Sequence, residues 1–586
     1  MPGRHIIVGG GLAGLTAAMK LAEQGESVDV FSIVPVKRSH SVCAQGGING
    51  AVNTKGEGDS PMIHFDDTIY GGDFLANQPP VKGMCEAAPG IIYLFDRMGV
   101  MFNRTAEGLL DFRRFGGTKH HRTAFAGATT GQQLLYALDE QVRRYEVGGQ
   151  VRKFEGWEML SLVQDESGEC RGIVAIDTRS LEMRAFPADT VMIATGGPGL
   201  VFGRSTQSLV NTGSAASAAY QQGATYANGE FIQVHPTAVP GEDKNRLISE
   251  SIRGEGGRVW TYREGKPWYF LEEMYPAYGN LVPRDIATRA IHKVVFEDKL
   301  GVDGNPLVYL DVSHLDPEEL NRKVAGVLEI YEKFAGQDPR KVPMKIFPAM
   351  HYSMGGLWVD YHQQTNVPGL FAAGECEFQY HGANRLGANS LLSCMYGGDV
   401  ASPAMINYAK SHRSDASSRI YDSELTRQRE SFDRIFKMDG SENAFALWRE
   451  LGEIMTENVT VVRHNDKLKI TDDKTLEYKD RWGRIGLNDK GKWANQEVLF
   501  VRQLWNMFEL ARPMTLGALN RNESRGAHYK PEYPERDDAN FMKTTMAAWS
   551  SDGPRFSWDP VDASLIKPRP RRYDVDKPAT EARTAA

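Results

Sequence analysis

The stretch that decides the fold is residues 6–14, which read Ile-Ile-Val-Gly-Gly-Gly-Leu-Ala-Gly. Its apolar start is typical of a short buried strand, and apolar residues recur at helical spacing after the glycines. The residues with this spacing are Leu12, Leu15, Ala18, Met19 and Ala22. In such a strand–turn–helix context Gly9 makes the turn, Gly11 lets the backbone approach a pyrophosphate, and Gly14 lets helix and strand pack closely. The stretch predicts a dinucleotide-binding fold, with phosphates at the positive end of the helix dipole.

The next strand, predicted at residues 27–31, ends at Ser32. A nicotinamide-binding fold usually has an acid there for the ribose hydroxyls, so the missing acid argues against NAD. A later strand leads into Thr195 and Gly196, and this Ala-Thr-Gly-Gly segment is predicted to return the chain to the cofactor.

Composition describes an ordinary globular protein of several domains. The 586 residues exceed what one hydrophobic core holds, so two to four domains are expected. A formal net charge of -7 gives no sign of a nucleic-acid partner. No run reaches the roughly 18 apolar residues needed to cross a bilayer, and the first residues lead straight into a strand without room for a signal peptide. The chain is therefore expected in the cytoplasm, without direct insertion into a membrane.

The cysteines follow no metal-binding pattern. Their number is odd, and no two of them are spaced Cys-x-x-Cys. They are Cys43, Cys85, Cys170, Cys376 and Cys394. Neither a disulfide framework nor an iron–sulfur or zinc site is predicted in this chain.

Residues 36–50 read Val-Lys-Arg-Ser-His-Ser-Val-Cys-Ala-Gln-Gly-Gly-Ile-Asn-Gly. Taken alone, the histidine of this stretch, His40, would be an ordinary loop residue. Its neighbours, however, make the stretch resemble the covalent flavin attachment segment of the succinate dehydrogenase and fumarate reductase flavoprotein family. The resemblance implies FAD bonded through its 8α carbon to His40, with Ser39, Gln45, Gly46 and Gly47 beside the cofactor.

Other motifs extend this resemblance from Ile6 to about Tyr573. Residues 235–237 (His-Pro-Thr), 249–257 (Ser-Glu-Ser-Ile-Arg-Gly-Glu-Gly-Gly) and 282–285 (Val-Pro-Arg-Asp) resemble the family's capping domain, which closes over the flavin. Taken singly, an Arg beside an Asp is more typical of a structural ion pair. Residues 350–356, 368–375 and 381–391 resemble the returning flavin-binding part. There Glu375 would accept a hydrogen bond from a ribityl hydroxyl, and a helix starting at Asn389, Ser390 and Leu391 would offer N–H donors to the ring.

The same resemblance implies a role for each polar residue of these motifs. The substrate-binding residues are His235, Ser249, His351 and Arg385. The catalytic residues are Arg284, Glu250 and Arg253. Arg385 and His351 would hold one carboxylate of a dicarboxylate, and His235 and Ser249 the other. Arg284 would transfer the proton, relayed through the other two catalytic residues.

The implied reaction is oxidation of succinate to fumarate, with hydride transfer to the flavin. Because the chain has no cluster-binding or haem-binding pattern, a separate iron–sulfur subunit is expected to take the electrons. The resemblance is to the bacterial type of this family, which implies a membrane-anchor cytochrome b subunit of the diheme type. These partners would hold the chain at the cytoplasmic face of the cell membrane.

The predicted fold class is α/β, in an α+β multidomain arrangement. A flavin domain of the two-dinucleotide-binding type would comprise residues 1–232 and 345–405, interrupted by a capping domain at residues 233–344. A helical domain is predicted at residues 406–535, where apolar residues such as Leu504, Met507, Phe508 and Ala511 recur at i, i+3, i+4 and i+7. A C-terminal domain and tail would follow at residues 536–586, with the last dozen residues disordered. A β-meander is predicted with strands at residues 157–163, 170–176 and 191–194.

Three other functions remain open. A fumarate reductase would share the site and run in the opposite direction, although Gln45 leans toward succinate oxidation. An aspartate oxidase would share the arginines and histidines but lacks the attachment histidine, so His40 argues against it. A non-catalytic flavin-binding sensor or assembly module would keep the glycines without needing His235, Arg284, His351 and Arg385 together.

Overall fold

The structure is a computed structural model that describes residues 2–415 and 417–577. The predicted disordered tail lies outside the described residues from residue 578 onward. The α-helices are α1 (Leu12–Glu23), α2 (Pro61–Gly71), α3 (Gln78–Arg97), α4 (Thr130–Val147), α5 (Ser214–Gln221), α6 (Ser251–Gly254), α7 (Phe270–Met274), α8 (Arg284–His292), α9 (Pro317–Ala335), α10 (Asn389–Ser411), α11 (Ile420–Phe436), α12 (Ala444–Asn458), α13 (Asn465–Trp482), α14 (Gln496–Asn520) and α15 (Asp538–Phe541).

The strands are β1 (Arg4–Val8), β2 (Ser27–Ser32), β3 (Ile48–Asn49), β4 (Phe112–Arg113), β5 (Thr123–Ala124), β6 (Val151–Glu155), β7 (Trp157–Gln164), β8 (Cys170–Asp177), β9 (Met183–Pro187), β10 (Thr190–Ile193), β11 (Tyr226–Ala227), β12 (Ile232–Val239), β13 (Arg246–Leu247), β14 (Arg258–Arg263), β15 (Lys266–Trp268), β16 (Val308–Asp311), β17 (Met344–Ser353), β18 (Gly356–Leu357), β19 (Leu370–Ala372), β20 (Lys543–Ala548) and β21 (Arg555–Pro560).

A five-stranded parallel sheet, in the order β19-β10-β1-β2-β6, forms the centre of the molecule. The glycine fingerprint joins β1 to α1 as predicted. Gly9 has a φ of +123°, which L side chains rarely adopt, and a Cβ at Gly14 would lie 1.9 Å from the Gly9 carbonyl oxygen. The helix can therefore reach the strand only because both positions lack a side chain.

The predicted meander is correct for its first two strands and wrong for its third. An antiparallel sheet has the order β7-β8-β9, so its third strand is Met183–Pro187. Residues 190–193 instead form β10, between β1 and β19 of the parallel sheet, and all four are buried. A run that is apolar throughout is typical of a parallel strand covered on both faces, and the prediction missed that signal.

A second sheet has the strand order β13-β12-β17-β16-β14-β15. The predicted joints of the capping domain, at 232/233 and 344/345, fall at the first residues of β12 and β17, which pair with each other. Helix α8 is tied to this sheet by the hydroxyl of Thr288, which donates to the Val234 carbonyl at 3.0 Å. The division into domains remains a prediction, because the two joints are adjacent strands of one sheet.

Helices α11 to α14 account for most of the predicted helical region. The apolar stripe on α14 is confirmed as core, since Leu504, Met507, Phe508 and Ala511 are fully buried. Beyond them, the hairpin β20-β21 pairs with β11 in a four-stranded sheet, so the C-terminal residues join a sheet that starts in the first half of the chain. No helix among the described residues has the length and hydropathy that crossing a bilayer requires.

Candidate active site

A cavity of about 490 Å³ lies between the C-terminal ends of the parallel strands and the second sheet. Cofactors commonly bind at this edge of an open α/β sheet. The predicted site residues that line it are Gly9, Gly11, Ser32, Ser39, His40, Gln45, Gly46, Gly47, Thr195, Gly196, His235, Ser249, Glu250, Arg284, His351, Glu375, Arg385, Ser390 and Leu391. Three predicted residues do not line it: Gly14, Arg253 and Asn389. The fold thus gathers segments that lie up to about 380 residues apart in the sequence.

The loop with His40 forms two short 3-10 turns, Val36–Arg38 and His40–Cys43, above the glycines. The Ser208 backbone N–H donates to His40 Nδ1 at 3.2 Å, so the proton of the neutral ring is on Nε2. Burial, together with the charge of Lys244, lowers the pKa of His40 to about 4. The imidazole is therefore neutral at physiological pH, and its Nε2 makes no hydrogen bond to a residue that the structure describes.

Arg113 supports the same loop from behind, and sequence reasoning missed it. Its Nε donates to the Gly46 carbonyl at 2.9 Å and a terminal nitrogen donates to the Gln45 carbonyl at 2.9 Å. The guanidinium also lies 4.1 Å from the ring centre of Phe125. These contacts fix the backbone at Gly46 and Gly47, beside which a cofactor ring would lie. No local sequence motif indicates these contacts.

Arg284 and Arg385 meet at one amide, the side chain of Gln233. The Gln233 oxygen accepts from Arg284 at 2.9 Å and from Arg385 at 3.0 Å, and its nitrogen donates to the Arg385 carbonyl at 2.7 Å. Gln233 is fully buried on β12, two residues before His235 and therefore on the same face of the strand. That period-two spacing is the signal that could have identified Gln233 from the sequence.

Glu250 links Arg284 to Arg253 in one buried chain of charges. Its two oxygens accept from Arg284 Nε at 2.8 Å and from Arg253 at 2.7 Å. Arg253 also donates to the carbonyls of Asn280 and Val282, which explains why it lies behind the cavity wall. Burial raises the pKa of Glu250, but the two guanidinium groups outweigh it and hold that pKa below its ordinary value. Glu250 is thus a carboxylate between two cations.

The two predicted substrate histidines are adjacent, with ring centres 5.0 Å apart. The Thr237 backbone N–H donates to His235 Nδ1 at 3.2 Å, which leaves the proton of His235 on Nε2, and that atom is buried without a partner in the described part of the chain. His351 Nδ1 lies 2.7 Å from the hydroxyl of Thr206. Burial and the nearby arginines lower the pKa of both rings well below the ordinary value, so both are neutral donors or acceptors.

Arg385 and Ser249 complete the polar wall. The guanidinium of Arg385 lies 4.2 Å from the ring centre of Tyr352, and its buried Nε has no partner among the described residues. Burial and the charge of Arg284 lower the pKa of Arg385 to about 9, so it stays charged at neutral pH. Ser249 accepts a hydrogen bond from the Ser251 hydroxyl at 2.9 Å and so keeps its own proton to donate. Unpaired buried donors such as these indicate an acceptor-rich ligand, for which a dicarboxylate is suited.

On the far side, Glu375 accepts from the Ser353 N–H at 3.0 Å and from the amide of Gln207. Burial raises the pKa of Glu375 to about 7. Asn389, expected beside the cofactor, instead turns away from the cavity. Its side chain is bonded to Asn49, His64 and Thr68, which secures the first turn of α10 while Ser390 and Leu391 face the cavity.

Comparison with known proteins agrees with this geometry. A family model described as an FAD binding domain matches residues 4–391, and one described as fumarate reductase flavoprotein C-term matches residues 448–573. The chain is 67% identical over 579 residues to the succinate dehydrogenase flavoprotein subunit of Bacillus subtilis, covering 98% of this chain and 99% of that protein. It is 33% identical over 598 residues to the fumarate reductase flavoprotein subunit of Haemophilus influenzae, covering 99% of this chain and 98% of that protein. A chain of the Escherichia coli quinol fumarate reductase superposes with a TM-score of 0.92 at 30% identity, covering 98% of this chain and 100% of that chain.

Proposed function

The chain belongs to the succinate dehydrogenase and fumarate reductase flavoprotein family, and on that premise we propose that it oxidises succinate to fumarate as a flavoprotein subunit. Identity to a succinate dehydrogenase subunit is about twice that to a fumarate reductase subunit, which favours oxidation as the physiological direction. The observation that carries the proposal is the pair Arg284 and Arg385 on Gln233, facing His235 and His351 across one cavity.

The residues of the cavity fit FAD, which supplies the hydride acceptor when bound. Gly9 and Gly11 leave the backbone open for a pyrophosphate at the start of α1. Glu375 has a carboxylate oxygen available for a ribityl hydroxyl. We propose that His40 Nε2 holds the cofactor covalently, because its Nδ1 is occupied and its low pKa keeps the ring neutral. An electron-withdrawing link of this kind raises the reduction potential toward that of the succinate couple.

In the proposed mechanism the chain binds both ends of the substrate and moves one proton. Arg385 and His351 hold one carboxylate, and His235 Nε2 with the Ser249 hydroxyl holds the other. Both arginines are buried, so closure leaves the substrate carbons in a site from which bulk water is excluded.

Arg284 transfers the proton in this scheme. It first passes a proton toward Glu250, whose oxygen is 2.8 Å from its Nε, and then accepts the proton that leaves the substrate carbon. Arg253, 2.7 Å from the other oxygen of Glu250, stabilises the carboxylate and continues the relay.

We propose that the chain works in a complex with an iron–sulfur subunit and a membrane anchor. We propose that the anchor is the diheme cytochrome b type and that the chain lies on the cytoplasmic face of the membrane. The absence of any cysteine pair spaced for a cluster in the sequence supports electron exit through a separate subunit.

The test is flavin absorbance of the purified complex under anaerobic conditions. Addition of succinate should bleach the flavin band, and fumarate should restore it. A flavin that succinate does not bleach, in a preparation that dithionite still reduces, would rule out the proposed function and favour a non-catalytic flavin-binding module.

A further inference from the structure

The last described segment, residues 567–577, connects two parts of the molecule and is called here the C-terminal strap. Arg569 binds both oxygens of Asp66 on α2, at 2.9 and 2.7 Å. Two residues further, Arg571 binds both oxygens of Asp285 on α8, at 2.6 and 2.9 Å. The ring of Tyr573 is buried, and its centre lies 5.7 Å from the ring centre of Tyr70 on α2. The strap therefore joins α2, a helix of the predicted flavin domain, to α8, the helix that begins with Arg284.

Asp285 is the neighbour of Arg284 in the first turn of α8, and it is not the partner of Arg284. Arg284 turns toward Glu250, while Asp285 points the other way to Arg571. Both Asp285 and Arg571 are buried, with side-chain exposures of 1% and 5%. A fork of two parallel hydrogen bonds fixes both the distance and the orientation of the carboxylate. Arg571 thereby fixes the backbone from which the Arg284 side chain starts.

Other polar contacts also fix this end of α8. Arg253 donates to the Val282 carbonyl at 3.1 Å just before the helix. The hydroxyl of Thr288 bonds to Val234 one turn later, and Arg289 donates to the Gly526 carbonyl at 2.6 Å and to Asp285 at 3.5 Å. Pro283, which precedes the helix, makes no side-chain cap. The Asp285 contact is thus the polar anchor closest to the Arg284 backbone.

We propose that Arg571 is a positioning residue for the oxidation, which through Asp285 holds the Arg284 guanidinium in line with Glu250 and the substrate carbon. The proposal rests on the proton-transfer role given to Arg284 above. A displacement of about 1 Å in a reacting group can lower the rate on the order of 10²-fold. Substrate binding depends on Arg385 and the histidines, which lie on other elements and should be affected little.

The test compares Arg571→Met, Arg571→Lys and a control, Arg512→Met, in the assembled membrane complex. Arg512 makes a similarly buried fork on Asp472, at 2.9 and 3.2 Å. This contact joins α14 to α13, and neither helix contains a residue of the candidate site. Turnover per flavin with an artificial acceptor gives kcat and KM for succinate. Malonate dissociation constants come from the flavin absorbance change.

Arg571→Met should lower kcat at least tenfold while KM and the malonate constant stay within about threefold. The kcat of Arg571→Lys should lie between those of Arg571→Met and the wild type, because lysine keeps the charge and loses the fork of two hydrogen bonds. Arg512→Met should keep its kcat. Normal turnover in Arg571→Met, or loss of malonate binding together with turnover, would overturn the proposal. If Arg571→Met does not assemble, turnover and malonate binding measured on Arg571→Lys test the proposal instead. If Arg284→Lys is inactive and Arg571→Met is normal, only this inference fails.

Discussion

Replacing Gln233 with leucine, a side chain of similar size, should disable the site by separating its two arginines. The change removes the oxygen that accepts from Arg284 at 2.9 Å and from Arg385 at 3.0 Å. A hydrogen bond to a charged group contributes roughly 1.5–3 kcal/mol, so the two together are worth roughly 3–6 kcal/mol. If half of this loss, roughly 1.5–3 kcal/mol, appears in the transition state, kcat/KM for succinate should fall roughly 10- to 10²-fold, since about 1.4 kcal/mol corresponds to a factor of ten.

The assay is succinate oxidation with an artificial acceptor, per flavin, in the assembled complex. Gln222→Leu is the matched control, because the Gln222 amide also bonds through both ends, to the N–H and carbonyl of Leu162 at 2.8 and 2.9 Å, away from the cavity. The control should lose stability but keep its kcat/KM. A fall of less than threefold in Gln233→Leu would show that the arginines do not need their shared acceptor, and the reasoning would be wrong.

Three further predictions concern the cofactor, the electron path and acid stability. His40→Ser should keep noncovalent flavin but lose flavin fluorescence from the denatured band in a gel and most succinate oxidation, and normal oxidation would contradict the covalent link. The chain alone, with free flavin removed, should not reduce quinone, because its sequence has no cluster-binding cysteine pattern; quinone reduction by the isolated chain would refute this. Glu250 has a folded pKa below its ordinary value of 4.5, so its stabilisation is complete above that pH and is lost as the pH falls through the folded pKa. The unfolding free energy of Glu250→Gln should therefore differ most from wild type near neutral pH and converge in acid, and a constant difference would contradict the assignment.

The local features of the fold were predictable from the sequence. Residues 6–14 carry their own evidence, because strand, turn and helix are contiguous and the glycines are required by contacts such as the 1.9 Å approach at Gly14. The place of β10 was not predicted. Its partners β1 and β19 are far along the chain in opposite directions, and a short apolar run does not indicate which sheet it joins.

The candidate site likewise has residues that the sequence predicted and residues that it did not. The residues that the family resemblance implied line one cavity, apart from the packing residue Gly14 and from Arg253 and Asn389, which lie behind its wall. The residues that support them were missed. Arg113 acts through backbone carbonyls, and Arg571 reaches Asp285 across 286 positions of sequence, so neither belongs to a motif. Such contacts are determined by tertiary packing, and only the folded chain reveals them.

The central claim is that Arg284 moves the proton while Arg385 binds the substrate. The measurement that tests it most directly is rapid mixing of succinate with Arg284→Lys and Arg385→Lys complexes, following the flavin band, beside fumarate dissociation constants from equilibrium absorbance. Arg284→Lys should bind fumarate almost normally and bleach on the order of 10² to 10⁴ times more slowly, the range for loss of a positioned acid–base group. Arg385→Lys should bind fumarate poorly, because lysine lacks the planar fork. Near-normal bleaching in Arg284→Lys, or fumarate binding weakened as severely as in Arg385→Lys, would contradict the claim.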